Sequence, residues 1–315
     1  MAYFFINLKR FDVPRSVGGL CPLEDAQEWI SGVIQNSVEL GLGKTPGVNI
    51  NFLLPEGLVS TARRVLDGYS VEESSTITIG CQGVHWQDVE KGKNFGAFTS
   101  SLPAKAAAAL GCQWAMIGHS EERRAKFQVI EAYDAHASQD PAPYQRAQAA
   151  INGLIRDEVL CALRANLNVL LCVGETAAER GDGDFADQQP RIQSVLENQL
   201  LTNLQVDPQY LDQRKIVIGY EPIWAIGPGK IPPGADYIAF VSAFIKNTVL
   251  NHLGFSPAVI YGGGLKEENA AIIAGVTTID GGLVALTRFS GEIGFNVPDL
   301  KIIIQNFIQK DGVSS

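Results

Sequence analysis

Apolar residues along the chain gather into eight short runs, rich in β-branched and aromatic side chains. They are YFFINL (3–8), VNINFLL (48–54), TITIGC (76–81), WAMIG (114–118), VLLCVG (169–174), IVIGY (216–220), AVIYG (258–262) and IDGGLV (279–284). Between them the rhythm changes to a helical one, as in Leu23–Leu40, Pro103–Leu110, Ile151–Ala165, Ile192–Leu204, Tyr237–Leu253 and Pro298–Ile308. Strands alternating with helices predict a parallel sheet covered on both faces, and eight strands are the number that closes a (β/α)8 barrel. The expected fold is therefore α/β, one (β/α)8 barrel domain over residues 1–315. A doubly wound open sheet is the structural alternative, but no GxGxxG follows the first strand, where a dinucleotide fold needs it. The longest gap between strands holds FQVIEAYDAHASQDPAPYQRAQ (127–148), which reads as an insertion, helical at its ends and emerging beside the site as a lid, a specificity element or a surface excursion. The closing DGVSS reads as a frayed tail.

Composition narrows the class. The chain has 315 residues, is 46% hydrophobic and carries a net charge of −9. That balance argues against a general nucleic-acid surface, while leaving room for a small basic pocket. No apolar run approaches membrane-spanning length, and MAYFFINLKRF lacks the basic start and cleavage site of a signal peptide. The five cysteines form no CxxC pair and read as free thiols of a cytoplasmic protein. With four histidines and no HxxxH or HExxH, no metal site is expected.

In a barrel, the segments after the strands share one mouth, where catalytic groups of such folds lie. They bring Asn7 and Lys9 after strand one, Gln82 after strand three, and His119, Ser120 and Glu121 after strand four. Glu175 comes after strand five, Glu221 after strand six, Gly262-Gly263-Gly264 after strand seven, and Ala285-Leu286 after strand eight. Glu221 precedes Pro222, which biases it to extended backbone at the strand's end. A carboxylate, an imidazole and an ammonium thus converge with two glycine-rich loops.

The residues INLK (6–9), NFGAFTSSLPAKAAAALGCQWAMIGHSEERR (94–124), CVGE (172–175), YEPIWAIGPGK (220–230) and YGGG (261–264) resemble, in order and position, the motifs of the triose-phosphate isomerase family. The resemblance covers nearly the whole chain. It implies Glu221 as the base and His119 as a neutral electrophile, a pairing for which that family is a standard worked case. It also implies Lys9 and Asn7 as positive charge and polar donor, with Ser120 and Glu121 in support. Ser120 reads as the N-cap of a short helix, whose N-terminus would keep the His119 imidazole neutral. PIWAIGPGK (222–230) is similar to the family's lid, with Trp224 as an anchor and Gly227 and Gly229 supplying unusual dihedrals. No cofactor is implied. The partner would be a small phosphorylated sugar, and a loop after Gln82 that usually reaches a second subunit implies a homodimer.

The phosphate pocket departs from the family. Its serine after strand seven is Gly264, and two adjacent glycines after strand eight are Ala285 and Leu286, where positive φ would be strained. Either the backbone N–H groups of Ala285 and Leu286 still hold the phosphate, with Gly227 and Gly264 beside it, or the phosphate is displaced toward Arg288, which comes soon after and could take it. The family's GAFTGE glutamate is Ser101. The expected activity is aldose–ketose isomerisation, with triose phosphate first and a four-carbon erythrulose phosphate second, since VHW (84–86) and KIPPGADYI (230–238) resemble that side branch. A catalytically weak paralogue retained for binding is the third expectation.

Overall fold

The computed structural model describes residues 1–212, 215–227 and 229–309, so the DGVSS tail lies outside the described residues. Eight strands pair in chain order and close: β1 Ala2–Asn7, β2 Val48–Leu54, β3 Ile77–Cys81, β4 Trp114–Ile117, β5 Asn168–Val173, β6 Ile216–Tyr220, β7 Ala258–Tyr261 and β8 Gly281–Val284. All ladders are parallel, and β1 pairs with both β2 and β8, which completes the barrel. The open-sheet alternative is excluded by that closure.

Alternation along each strand divides the core in two. Phe5, Leu53, Trp114, Met116, Leu170, Cys172, Val217, Ile260 and Leu283 fill the barrel's interior as a separate cluster. Their strand neighbours, such as Phe4, Ile6, Ile50, Phe52 and Ile218, point outward and pack under the surrounding helices. Burial on both faces is why these strands read as continuous apolar runs rather than alternating ones.

The helix expected over Ile151–Ala165 starts earlier and runs Pro141–Arg164. Only Ala147 and residues from Ile151 onward are buried along it, so its first turns carry no apolar stripe. Alanine-rich sequence and Pro141 at the start sustain helix there instead. With helices at Ser120–Tyr133 and His136–Gln139, the 127–148 segment is helical almost throughout, not only at its ends. Among the described residues no helix is long and apolar enough to cross a membrane.

Candidate active site

One cavity of about 700 Å³ opens among the segments after the strands, and Asn7, Lys9, His119, Glu221, Gly264 and Ala285 all line it. Glu221 continues β6 by one residue, its N–H donating to the Val173 carbonyl at 2.8 Å. The side chain then points into crowded space. A Cβ at Gly262 would lie 2.9 Å from Glu221 Cγ, and one at Gly174 would lie 1.8 Å from the Glu221 carbonyl oxygen. Glycines at the ends of β5 and β7 thus make room for this carboxylate.

Glu221 is buried, and Ser120 and His119 face its carboxylate. The Ser120 N–H reaches Oε2 at 2.9 Å and the Ser120 hydroxyl reaches Oε1 at 3.0 Å. His119 Nε2 stands 3.2 Å from the same Oε1. At the other side of the imidazole, Nδ1 accepts the Glu121 N–H at 3.2 Å. A nitrogen that accepts from a backbone N–H carries no proton, so the proton of a neutral ring sits on Nε2, facing Glu221. Here the expectation for Ser120 is corrected: His119, not Ser120, is the N-cap, and the helix it caps has 14 residues. Ser120 is unavailable as a cap because its hydroxyl is spent on Glu221.

Lys9 has the unusual φ of +40° for a non-glycine residue. Such a conformation persists only where the surroundings over-determine it. They do: Asn7 Oδ1 accepts the Lys9 N–H at 3.0 Å, and Gln82 Nε2 donates to the Lys9 carbonyl at 2.9 Å and to the Leu53 carbonyl at 3.2 Å. The Lys9 ammonium then meets Glu121 Oε1 at 2.6 Å. Partial burial is the largest influence and works to raise the Glu121 carboxyl, but Lys9 and weaker contributions that include Arg124 together hold that group below the usual carboxylate range. Gln82 is the positioning residue that chemistry-based reading left without a role; its place directly after β3 was the available signal.

Glu175 stands at the end of β5 but fully buried, apart from the reacting groups. Its Oε1 accepts from Tyr220 at 2.9 Å, Trp224 Nε1 at 2.8 Å and Tyr237 at 2.8 Å. Burial raises its pKa, with the three hydrogen bonds opposing the rise. The Arg180 guanidinium stacks 3.8 Å over the Trp224 ring. Trp224 is thus clamped at the start of the 222–230 segment, as the anchor role requires. Gly227 (φ +125°) and Gly229 (φ +74°) take the left-handed backbone expected of them, while Pro228 between them lies outside the described residues.

The strand-eight residues divide. Ala285 lines the cavity and Leu286 does not, although both pack against the outer core. Neither has positive φ, so the expected strain is absent; the rim has a different backbone from a pair of glycines in that conformation. Gly264 keeps a left-handed φ of +89°. Arg288 is not brought to the cavity: its Nε donates to Asp299 Oδ2 at 2.7 Å, near the start of the helix Val297–Ile308. An aspartate eleven residues away outcompetes the pocket because it supplies a bidentate partner on the surface. Among the described residues no group of three or more His, Cys, Asp or Glu side chains is placed to hold a metal ion.

The family model described as triosephosphate isomerase matches residues 58–292. The triosephosphate isomerase of Alkaliphilus metalliredigens is 31% identical over 245 residues, spanning 76% of this chain and 82% of that one. That of Magnetococcus marinus is 30% identical over 266 residues, spanning 82% and 90%. The crystal structure of triosephosphate isomerase from Bartonella henselae superposes with a TM-score of 0.66 over 97% of this chain and 98% of that one, at 22% identity, a likeness of fold. The chain belongs to the triosephosphate isomerase family.

Proposed function

We propose that the protein interconverts the aldose and ketose forms of a small phosphorylated sugar through an enediolate, with triose phosphate (glyceraldehyde 3-phosphate and dihydroxyacetone phosphate) as the first substrate. The observation that carries this reading is the facing pair of Glu221 and the Nε2 side of His119, 3.2 Å apart inside one cavity. Moving a carbonyl to the adjacent carbon requires a base for a carbon-bound proton, and Glu221 at a strand end is that base. The oxygen that gains charge needs a donor, which neutral His119 supplies from Nε2. Lys9, held over the site by Asn7 and Gln82, adds fixed positive charge. None of these steps calls for a cofactor. The glycine-hinged 222–230 segment closes over the intermediate, since an enediolate phosphate exposed to water loses its phosphate.

A four-carbon sugar phosphate is the second reading, favoured by the altered rim at Gly264 and Ala285 and by the size of the cavity. A binding-only role is disfavoured by the intact pairing of acid, imidazole and ammonium. This reading places the enzyme in the cytoplasm as a homodimer, with the loop of residues 82–103 meeting the second subunit.

Steady-state turnover of the triose and the four-carbon ketose phosphates tests the reading. Wild type should isomerise at least one of them, and Glu221→Gln should lower kcat by several orders of magnitude while the melting temperature stays within a few degrees. No turnover of either sugar, or a Glu221→Gln enzyme within about tenfold of wild type (~1.4 kcal/mol of barrier), overturns it.

A further inference from the structure

Strand order places β4 and β5 across the barrel axis from β8, so the cavity has two walls. One carries Gly264 and Ala285. The other is built by the segments after β4 and β5, from Arg124, Phe127, Tyr144, Gln148, Thr176 and Glu179. Much of this second wall belongs to the helices that enter and leave the 127–148 segment, with Phe127 and Tyr144 in edge-to-face contact at 5.7 Å.

The polar groups of that wall are unequally satisfied. Glu179 has a donor on each oxygen: the Tyr144 hydroxyl donates to its Oε1 at 2.9 Å, and the Thr176 N–H donates to its Oε2 at 2.8 Å. Tyr144 has therefore given away its proton's hydrogen bond, and its oxygen lone pairs face the Thr176 and Gln148 side chains as well as the cavity. Lys9 is paired with Glu121, and Arg123 is buried on the Gly118 and Cys172 carbonyls and Asn152. Arg124, exposed at the cavity's edge, makes no hydrogen bond among the described residues, although its charge acts on the neighbouring Glu121 carboxylate.

We propose that this wall is a subsite for a hydroxyl-bearing carbon beyond the two that react, so that Arg124 and Tyr144 let the site take the four-carbon sugar phosphate of the second reading as well as the triose. A hydroxyl suits the pair because it accepts from the Arg124 guanidinium and donates to the Tyr144 oxygen. A second phosphate or a carboxylate suits it poorly, since Tyr144 would turn lone pairs toward it and the Glu179 carboxylate stands directly behind. Phe127 supplies the apolar floor against which a carbon chain lies. The 127–148 segment thereby becomes part of the substrate's binding surface. The proposal rests on the isomerase reading, and on the phosphate lying at the opposite wall beside Gly264 and Ala285.

The test compares kcat/KM for the triose phosphate and the four-carbon ketose phosphate in wild type, Arg124→Met, Arg124→Lys and Tyr144→Phe, with thermal melts to confirm folding. The ratio of four-carbon to triose kcat/KM should fall at least tenfold in Arg124→Met and at least threefold in Tyr144→Phe. The change should lie mainly in the KM for the longer sugar, with partial recovery in Arg124→Lys, as expected of uniform binding rather than of a group acting only in the transition state. A ratio that moves less than threefold in Arg124→Met, or a wild type that turns over only the triose, overturns the subsite while leaving the isomerase reading intact. A wild type that turns over neither sugar overturns both.

Discussion

His119 is fixed by two neighbours with opposite demands. The Glu121 N–H requires a lone pair on Nδ1, and the Glu221 carboxylate favours a proton on Nε2. A proton on Nδ1 would set two N–H groups against each other. Nitrogen-15 NMR of the His119 ring at pH 7 should therefore find the proton on Nε2 and a lone pair on Nδ1. The opposite tautomer would contradict this assignment. Lys9 makes the same point through the backbone, because its left-handed conformation exists only while Asn7 and Gln82 hold it.

Between helices, the most informative contact is a buried cluster joining Ser120–Tyr133 to Pro141–Arg164. Lys126 Nζ lies between Glu122 and Glu158, 2.9 Å from Glu158 Oε1, while Glu122 Oε2 accepts the Gly118 N–H at 2.7 Å. Two carboxylates and one ammonium leave an excess negative charge in a dry place. Burial, and then the Glu122 charge, push Glu158 up to about 9, so it keeps a proton that an unfolded chain would release. The folded state binds the extra proton between the ordinary carboxylate range and about pH 9, and stability is lost as pH rises through that window. Glu158→Gln removes the penalty and retains an acceptor for Lys126. Its melting temperature should match wild type near pH 5 and exceed it by at least about 2 °C at pH 8, on the order of half to one kcal/mol. Equal melting temperatures at both pH values would mean that Glu158 is ionised in the fold.

For the molecule as a whole, the loop of residues 82–103 is the segment most in need of an explanation. It is stiffened from within: Asn94 Oδ1 accepts the Glu90 and Gly96 N–H groups, and Asp88 Oδ1 accepts those of Val89 and Lys105. At its tip Phe95 is 84% exposed, with a φ of +51°. A rigid loop that presents an aromatic side chain to water is preorganised for burial against another surface. In sedimentation velocity at micromolar concentration, wild type should be a dimer and Phe95→Glu should shift markedly toward monomer. A monomeric wild type, or a Phe95→Glu dimer of undiminished stability, would remove this loop from the interface.

Eight apolar runs separated by helical rhythm determine the strands, their number and hence a closed barrel, because side-chain period and burial on both faces are local properties of the chain. The strand-end positions of Glu221, His119 and Lys9 come from the same pattern, since a residue directly after a strand can only lie at the mouth. Partners were not legible. Which side chain caps the helix at His119, which acid claims Arg288, and that Glu175 clamps Trp224 are settled by side chains of different elements competing for one another in space. The long helix from Pro141 escaped periodicity because its first turns bury almost nothing, so no apolar stripe marks them. Tertiary structure alone decided that those turns become a wall of the cavity, as the order of strands around the barrel sets Tyr144 and Gln148 across from Ala285.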